Sequence, residues 1–284
     1  MFKSYFFIPS NNKRFIEKVT TLKADNFVFD LEDSVTFDEI EVALSNLKDL
    51  RIEKNYFVRL NCYHTDEFSA GIINALIDIG FRNFLIPKFE SVDRILSIKD
   101  VFEHNGKYFR DEFQFILLVE HPAGVINLDK AIKAKLLNIT GVGFGSHDYC
   151  NTLGMKHTLS NLSYARLSVL NSAKAFGLLA IDIVSTDLKN DECFIEEVRD
   201  GFSLGFDGKF LIYPGQLDLF KQFELFTKDE VDEALLVYEQ LLINMDKQVA
   251  VLKINGKVYE KPHMKRILQI VDWYKQFNIQ KNGN

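Results

Sequence analysis

The chain has 284 residues, of which 47% are hydrophobic and 26% are charged. This length suits one large domain or two smaller ones, and the composition excludes a largely disordered chain, a collagen-like fibre and a coiled-coil rod. The net charge of −6 implies no broad basic face, so we expect no nucleic-acid partner. No apolar run approaches the length of a membrane span, and the three widely spaced cysteines suit reduced thiols. We therefore expect a cytoplasmic protein with no membrane partner.

Short runs of β-branched and aromatic residues recur along the chain, each followed by an amphipathic stretch. They are nearly all apolar, as expected of parallel strands that are covered on both faces. The eight runs are Ser4–Pro9, Asn26–Glu32, Tyr56–Asn61, Asn83–Lys88, Phe113–Glu120, Ile139–Gly145, Leu179–Val184 and Lys209–Pro214. Eight β-α repeats predict an α/β fold, a (β/α)8 TIM barrel. An open doubly wound sheet is the alternative, but no GxGxxG or GxxxxGK[ST] follows the first run, which disfavours it.

The pattern changes near the end of the chain. The predicted elements there are a long helix over 226–247, a hairpin over 249–261 around Asn255-Gly256, and a final helix over Pro262–Gln276. We therefore predict a barrel over residues 1–225 and a C-terminal helix–hairpin–helix extension over residues 226–284. The extension is expected to pack on a neighbouring subunit.

Two acidic residues lie where neighbouring strands of such a barrel would end. Glu120 closes one apolar run, and Asp148 follows the next one. A carboxylate in such a place is costly unless it is paired or binds a cation, and Mg²⁺ commonly takes one or two protein carboxylates. The alternatives are a strand-end salt bridge for Glu120 and a helix N-cap for Asp148. No HxH or HExxH spacing occurs, which disfavours zinc.

Arg59 lies between apolar residues on the third predicted strand and needs an anion. The partner is either a substrate carboxylate, bound through two nitrogens, or Glu32. The run FDLEDSV offers three acids, of which Asp30 and Glu32 share a strand face. Asp33 begins the following loop, where it would be an N-cap. We expect at least one of these three acids to be structural.

Nine motifs in this order resemble the citrate lyase beta-subunit-like family, within the HpcH/HpaI aldolase/citrate lyase superfamily. They are FIPSNNKRF, FDLEDSV, VRLN, IPKFES, LVEHPAG, GFGSHDYCNTLG, YARLSVLNSAKAFG, GFDGKFLIYPGQ and NGKVYEKP. Together they extend from about Ser4 to Pro262. The resemblance implies a barrel of the phosphoenolpyruvate/pyruvate type and Mg²⁺ as cofactor, with Mn²⁺ as a substitute.

The resemblance also implies roles for particular residues. Glu120 and Asp148 would bind the metal, and Glu120 would also face the substrate. Arg59 would hold the oxygens of an oxo- or hydroxy-acid. Glu32 and Asp33 would support the site and its water.

Further expectations from the resemblance concern the carrier and the assembly. Arg14 and Lys18 would meet a phosphorylated carrier such as coenzyme A. Relatives are often trimers or hexamers, so we expect a homo-oligomer, a homotrimer in the simplest case. The C-terminal hairpin would then bring Glu260 to a neighbour's site as a catalytic carboxylate.

Four positions depart from the family's usual residues. Glu260 stands where Asp is usual, and His121 follows the metal-binding Glu where small residues are common. Tyr213 replaces a His, and His147 stands where an acid or amide is frequent. We expect these departures to cluster around the pocket and to bear on the identity of the substrate.

These features predict a Mg²⁺-dependent carbon–carbon lyase or aldolase, of Claisen or aldol type, acting on a small oxo- or hydroxy-acid. The family often uses the acid as a coenzyme A thioester. Two alternatives stay open. One is a class II pyruvate aldolase with free substrates, whose members are usually shorter and lack the C-terminal tail. The other is a non-catalytic accessory subunit of a biosynthetic system that retains the metal barrel.

Overall fold

Eight parallel strands close into a barrel in the computed structural model, which describes residues 2–61, 67–103, 112–244 and 251–282. Each strand pairs with the next along the chain, and the first pairs with the last. The strands are β1 (Lys3–Pro9), β2 (Asn26–Asp30), β3 (Tyr56–Arg59), β4 (Asn83–Phe89), β5 (Gln114–Val119), β6 (Ile139–Phe144), β7 (Leu179–Val184) and β8 (Gly208–Leu211). The predicted (β/α)8 barrel is confirmed.

Helices follow the strands and cover the outside of the barrel. They are α1 (Lys13–Glu17), α2 (Ile40–Lys48), α3 (Glu67–Ile79), α4 (Val92–Glu103), α5 (Pro122–Ala134), α6 (Ser146–Leu153), α7 (Leu159–Ala175), α8 (Asp191–Leu204) and α9 (Pro214–Gln222). Within the described ranges, no helix has both the length and the hydropathy that crossing a bilayer requires.

Five strands, β2, β3, β5, β6 and β8, end one to three residues earlier than predicted. Local hydrogen bonds explain the early ends of β2 and β8. After Asp30 the chain turns, because the backbone N–H groups of Glu32 and Ser34 donate to the Asp30 carboxylate. After Leu211 the backbone N–H groups of the next two residues donate to Oε1 of Gln216. Side-chain acceptors on the strand end itself or on the following helix thus compete with strand pairing at the carboxyl ends.

The barrel interior is filled by large apolar side chains from alternate positions of the strands. They include Tyr5, Val28, Phe57, Leu85, Ile116, Leu118, Ile181 and Phe210. Gly143 is needed here, because a β-carbon at this position would lie 2.6 Å from the Phe210 ring. The interior is therefore a packed core, and the carboxyl ends of the strands are left to carry chemistry.

Buried charges behind β7 and β8 serve the scaffold. The Asp182 carboxylate pairs with the Arg166 guanidinium through two nitrogens at 3.0 and 2.7 Å. The Lys209 ammonium lies 2.9 Å from Glu197 Oε2 and is fully buried. Each pair joins a strand to a surrounding helix. Removal of one partner would leave an unpaired buried charge, which is strongly destabilising.

Residues 223–284 form a compact unit of their own, separate from the unit of residues 2–222. Its elements are α10 (Lys228–Asn244), β9 (Val251–Ile254), β10 (Lys257–Glu260) and α11 (Lys261–Asn282). The predicted hairpin is present, and positive φ angles at Asn255 and Gly256 suit the tight turn between its strands. Tyr259 and Lys257 both donate hydrogen bonds to Glu233 on α10. The boundary between residues 225 and 226 stays a prediction.

Candidate active site

A cavity of about 360 Å³ lies at the carboxyl ends of the barrel strands. Its apolar lining consists of Phe7, Pro9, Leu118, Phe144, Val184, Phe210 and Ile212. Its charged lining consists of Asp30, Asp33, Arg59, Glu120 and Asp148. The barrel thus brings four of the eight predicted site residues, Asp33, Arg59, Glu120 and Asp148, to one cavity. A fifth, Glu32, contacts Arg59.

Arg59 is surrounded by carboxylates. Its Nε and Nη2 donate to the two oxygens of Asp30 at 2.6 and 2.7 Å. Its Nη1 lies 2.9 Å from Glu32 Oε2 and 2.9 Å from Asp33 Oδ2. Burial alone would lower the pKa of Arg59, but the hydrogen bonds to Asp30 and the charges of the three acids raise it. The guanidinium is therefore a fixed positive charge at the edge of the cavity.

Asp30 is the structural member of the three acids. Besides Arg59, it accepts hydrogen bonds from the Glu32 amide at 3.0 Å and from the Ser34 hydroxyl at 2.6 Å. Burial would raise the pKa of Asp30, but these partners, above all Arg59, lower it overall. The N-cap role predicted for Asp33 is wrong, because Thr36 caps the following helical turn while Asp33 contacts Arg59.

Glu120 follows β5 and is 6% exposed. Its Oε2 accepts a hydrogen bond of 2.9 Å from the Lys88 backbone amide. Burial raises the pKa of Glu120 to about 8, helped by repulsion from Glu32 and Asp148. A β-carbon at Gly145 would lie 2.3 Å from Cγ of Glu120, so the glycine provides the space for this side chain. Within the described ranges Glu120 forms no salt bridge, so the salt-bridge alternative finds no support.

Asp148 lies in the first turn of α6, which follows β6. The N-cap of α6 is Gly145, so the alternative that Asp148 is the N-cap is wrong. Since β5 and β6 are neighbours, with Val119 opposite Phe144, Glu120 and Asp148 extend from adjacent strand ends as predicted. The Asp148 carboxylate is part-exposed and lies 3.3 Å from the Lys88 ammonium.

Lys88 belongs to the site, although from the sequence we predicted only that it lies at the end of a strand. Its φ of 51° lies in the left-handed region, which non-glycine residues rarely adopt. Its Nζ lies 3.1 Å from Glu32 Oε1 and 3.7 Å from Asp33 Oδ1, besides its contact with Asp148. The only available signal in the sequence was a cation at the carboxyl end of β4, next to the strand of Glu120.

The donor set suits Mg²⁺. Glu120 is a buried carboxylate that other acids repel, and a divalent cation would relieve this repulsion. Asp148 lines the same cavity and is open enough to leave room for waters and substrate oxygens. Among the residues that the structure describes, no cluster of three or more His, Cys, Asp or Glu side chains could hold a metal by itself. Two carboxylates completed by water and substrate form the arrangement that Mg²⁺ accepts, whereas zinc prefers a closed set of nitrogen and sulfur ligands.

The departures from the family pattern do not all surround the cavity. His147 lines it, and its ring stacks on that of His157 with 4.1 Å between the centroids. His121 instead caps α5, where its Nδ1 accepts a hydrogen bond from the Ala123 amide. Tyr213 is 46% exposed and borders a smaller pocket. The expected clustering is therefore wrong for His121 and Tyr213.

Three further predicted residues are exposed, and their roles stay predictions. Arg14 and Lys18 follow the carboxyl end of β1, with Arg14 on α1 and Lys18 in the next helical turn. Glu260 ends β10 in the C-terminal unit, and its backbone amide donates to Nδ1 of His263 at 3.0 Å.

Comparison with known proteins assigns the family. Residues 3–214 match the HpcH/HpaI aldolase/citrate lyase family. The citrate lyase subunit beta of Haemophilus influenzae is 27% identical over 280 residues, which cover 95% of this chain and 96% of that protein. The (3S)-malyl-CoA thioesterase of Cereibacter sphaeroides is 31% identical over 225 residues, covering 77% of this chain and 75% of that protein. A citrate lyase beta subunit from Mycobacterium tuberculosis, complexed with oxaloacetate and magnesium, superposes with a TM-score of 0.66 at 25% identity and covers 77% of this chain and 95% of that one. The chain therefore belongs to the HpcH/HpaI aldolase/citrate lyase family.

Proposed function

We propose that this chain is a Mg²⁺-dependent carbon–carbon lyase that acts on a small oxo- or hydroxy-acid, free or as a coenzyme A thioester. One observation carries the proposal: Glu120 and Asp148 extend from adjacent strand ends into the cavity that Arg59 also lines. The relatives that are citrate lyase beta subunits support cleavage of a carbon–carbon bond. The (3S)-malyl-CoA thioesterase supports a coenzyme A thioester as substrate. The citrate lyase beta subunit complexed with oxaloacetate and magnesium supports the metal.

The chain's own residues divide the work of cleavage between them. Glu120 and Asp148 would hold the metal, with Mn²⁺ as a substitute, and bound Mg²⁺ would supply Lewis-acid polarisation of the substrate oxygens. Arg59, fixed by Asp30, places a positive charge at the cavity edge where negative charge develops on the acid. Glu32 and Asp33 lie beside Arg59 and would orient the substrate and its water.

Proton transfer completes the scheme. In the cleavage direction a carboxylate base takes the proton of the substrate hydroxyl. The hydroxyl oxygen becomes the carbonyl oxygen of the released oxo-acid as the carbon–carbon bond breaks. The electron pair of the broken bond goes to an enolate, which is protonated afterwards. We assign the base to Glu260, contributed by the C-terminal unit of a neighbouring subunit.

The assembly and the carrier belong to the same proposal. A homotrimer or hexamer would bring Glu260 to the neighbour's cavity. Arg14 and Lys18 would meet the phosphates of coenzyme A, since both are exposed and follow the carboxyl end of β1. A cytoplasmic location would suit the cysteines, of which Cys150 and Cys193 are free thiols. Cys62 lies outside the described residues.

A metal-dependent screen tests the proposal. Purified protein is incubated with Mg²⁺ or EDTA and offered malyl-, citramalyl- and citryl-CoA, and free hydroxy-acids in parallel. Release of a keto acid, with loss of release in EDTA, is the expected result. Asp148→Asn should abolish the release, whereas Asp129→Asn on the exposed face of α5 should not.

The same screen separates the alternatives. Cleavage of free hydroxy-acids to pyruvate and an aldehyde, with no cleavage of any thioester, would favour a class II pyruvate aldolase. Metal-dependent binding of oxaloacetate or pyruvate without turnover of any substrate would favour the accessory subunit. The Asp148→Asn variant controls for adventitious metal in both cases.

A further inference from the structure

Lys88 connects the two carboxylates that we propose as metal ligands. Its backbone amide donates to Glu120 Oε2 at 2.9 Å, and its ammonium donates to Asp148 Oδ2 at 3.3 Å. One residue thus contacts one ligand through its main chain and the other through its side chain. Neither contact is used in the chemistry derived above.

The backbone at Lys88 makes both contacts possible. The register between β4 and β5 shifts between Ile86 and Phe89, and Lys88 within this segment has a φ of 51°. A left-handed residue is unfavourable for a side chain with a β-carbon, and such residues persist where the surroundings hold them, commonly at functional sites. Here the conformation turns the Lys88 amide towards Glu120 while the side chain reaches across the rim.

The ammonium occupies a cluster of negative charge. It lies 3.1 Å from Glu32 Oε1, 3.3 Å from Asp148 Oδ2 and 3.7 Å from Asp33 Oδ1. Arg59 contacts Glu32 and Asp33 as well, whereas its contacts do not include Asp148. Among the described residues, Lys88 is therefore the positively charged side chain that contacts Asp148.

A divalent cation at Asp148 would compete with this ammonium. Two cations that share one carboxylate repel each other strongly at such distances. Glu32 and Asp33 offer the ammonium a second position, since both already lie within 3.7 Å of it. The Lys88 side chain is 33% exposed, so its neighbours do not enclose it completely.

Building on the proposed function, we propose that Lys88 is a positioning residue whose ammonium holds Asp148 in the metal-free chain and exchanges with the divalent cation there. When the cation binds, the ammonium withdraws towards Glu32 and Asp33. The exchange lowers the affinity for the metal and keeps the rim carboxylates together before the metal arrives.

Titration of Mn²⁺, followed by the electron paramagnetic resonance of the free ion, tests the exchange. Lys88→Met removes the charge but keeps an unbranched stem at the same backbone conformation. We expect it to bind Mn²⁺ at least about tenfold more tightly than the unaltered chain, because the competing charge is gone. Lys88→Arg should remain near the unaltered affinity, because a cation is still present.

Lys130→Met on the exposed face of α5 controls for the change in net charge and should leave the affinity unchanged. A merely structural role for Lys88 would make Lys88→Met bind Mn²⁺ more weakly, since the ligands would lose their support. Equal or weaker binding by this variant overturns the exchange and leaves the proposed metal site standing. Absence of Mn²⁺ binding by every form, the unaltered chain included, overturns the proposed function and the exchange together.

Discussion

The Asp30 carboxylate and the Arg59 guanidinium form a two-point ion pair across neighbouring strands, with 2.6 Å between Oδ1 and Nε and 2.7 Å between Oδ2 and Nη2. The two residues are register partners on β2 and β3, and both are more than nine-tenths buried. Because each charge satisfies the other away from water, the pair fixes the orientation of Arg59 without any ligand. The cavity therefore has a preorganised positive charge at one edge.

Asp30→Asn should destabilise the chain by about 3 kcal/mol, because it removes one partner of a buried pair. Asp33 and Glu32 still contact Arg59, which keeps the loss near the lower end of what such changes cost. Urea unfolding measures the change, with Asp129→Asn as the matched control on an exposed helix face. A loss below about 1 kcal/mol, typical of an exposed pair, would contradict the structural role of Asp30.

The Asp30–Arg59 pair should also make stability depend on acid pH. The pKa of Asp30 is lower in the folded chain than in the unfolded chain, so the pair's contribution is complete above the ordinary aspartate pKa of about 3.9. It is lost as the pH falls through the lowered value. Unfolding free energies between pH 5 and pH 2.5 should therefore fall more steeply for the unaltered chain than for Asp30→Asn. Parallel curves would contradict the pairing.

Glu120 should have the opposite pH dependence. Its pKa of about 8 in the folded chain lies above the value of about 4.3 expected when the chain is unfolded. The favourable contribution of the protonated group is thus complete below about pH 4 and is lost as the pH rises towards 8. In EDTA, the unfolding free energy should fall between pH 5 and pH 8 by more in the unaltered chain than in Glu120→Gln. The same slope in both would show that Glu120 is not a repelled, buried acid.

Gly145→Ala should lower turnover by about 100-fold while the barrel stays folded. The added β-carbon would lie 2.6 Å from Glu120 Oε1, so the carboxylate must move, and a small misplacement of a site group can cost about 100-fold in rate. The φ of Gly145 is −87°, so alanine meets no backbone strain there. Gly71→Ala is the control, since its β-carbon would meet nothing within 4 Å. Equal turnover in both variants would show that the position of Glu120 is not critical.

Glu260→Gln should lower turnover without changing the affinity for Mn²⁺, if the neighbouring subunit supplies the base. A mixture of Glu260→Gln and Asp148→Asn chains, refolded together, should recover part of the activity, because some cavities then combine an intact metal site with an intact Glu260. Each variant refolded alone provides the baseline. No recovery in the mixture, with mixed oligomers present, would place the base within a single chain.

Much of the fold could be predicted because its signals are local. The apolar runs and the amphipathic stretches between them gave all eight strands, including β7 with the same bounds, Leu179–Val184. The predicted positions of the strands' carboxyl ends were less accurate. The strand stops after Asp30 because the backbone amides of Glu32 and Ser34 donate hydrogen bonds to the Asp30 carboxylate. The hydrophobic periodicity of the sequence carries no information about these hydrogen bonds.

The site was predictable to the extent that topology alone determines it. Adjacent strands must bring Glu120 and Asp148 to one rim, so their shared cavity followed from sequence order. The carboxylate that pairs with Arg59 could not be predicted from the sequence, because Asp30 and Glu32 share a strand face. Only the register between β2 and β3 places Asp30 opposite Arg59. Lys88 acts through a left-handed backbone that residue type does not predict.

The proposed function requires that Glu120 and Asp148 together hold one divalent cation in the barrel cavity. Calorimetric titration of Mn²⁺ into the unaltered chain, Glu120→Gln, Asp148→Asn and Asp129→Asn tests it most directly. We predict one site per chain in the unaltered protein and in Asp129→Asn, and an affinity lower by more than about 100-fold in each of the other two. Retention of the full affinity in Glu120→Gln or in Asp148→Asn would show that these two carboxylates do not form the metal site.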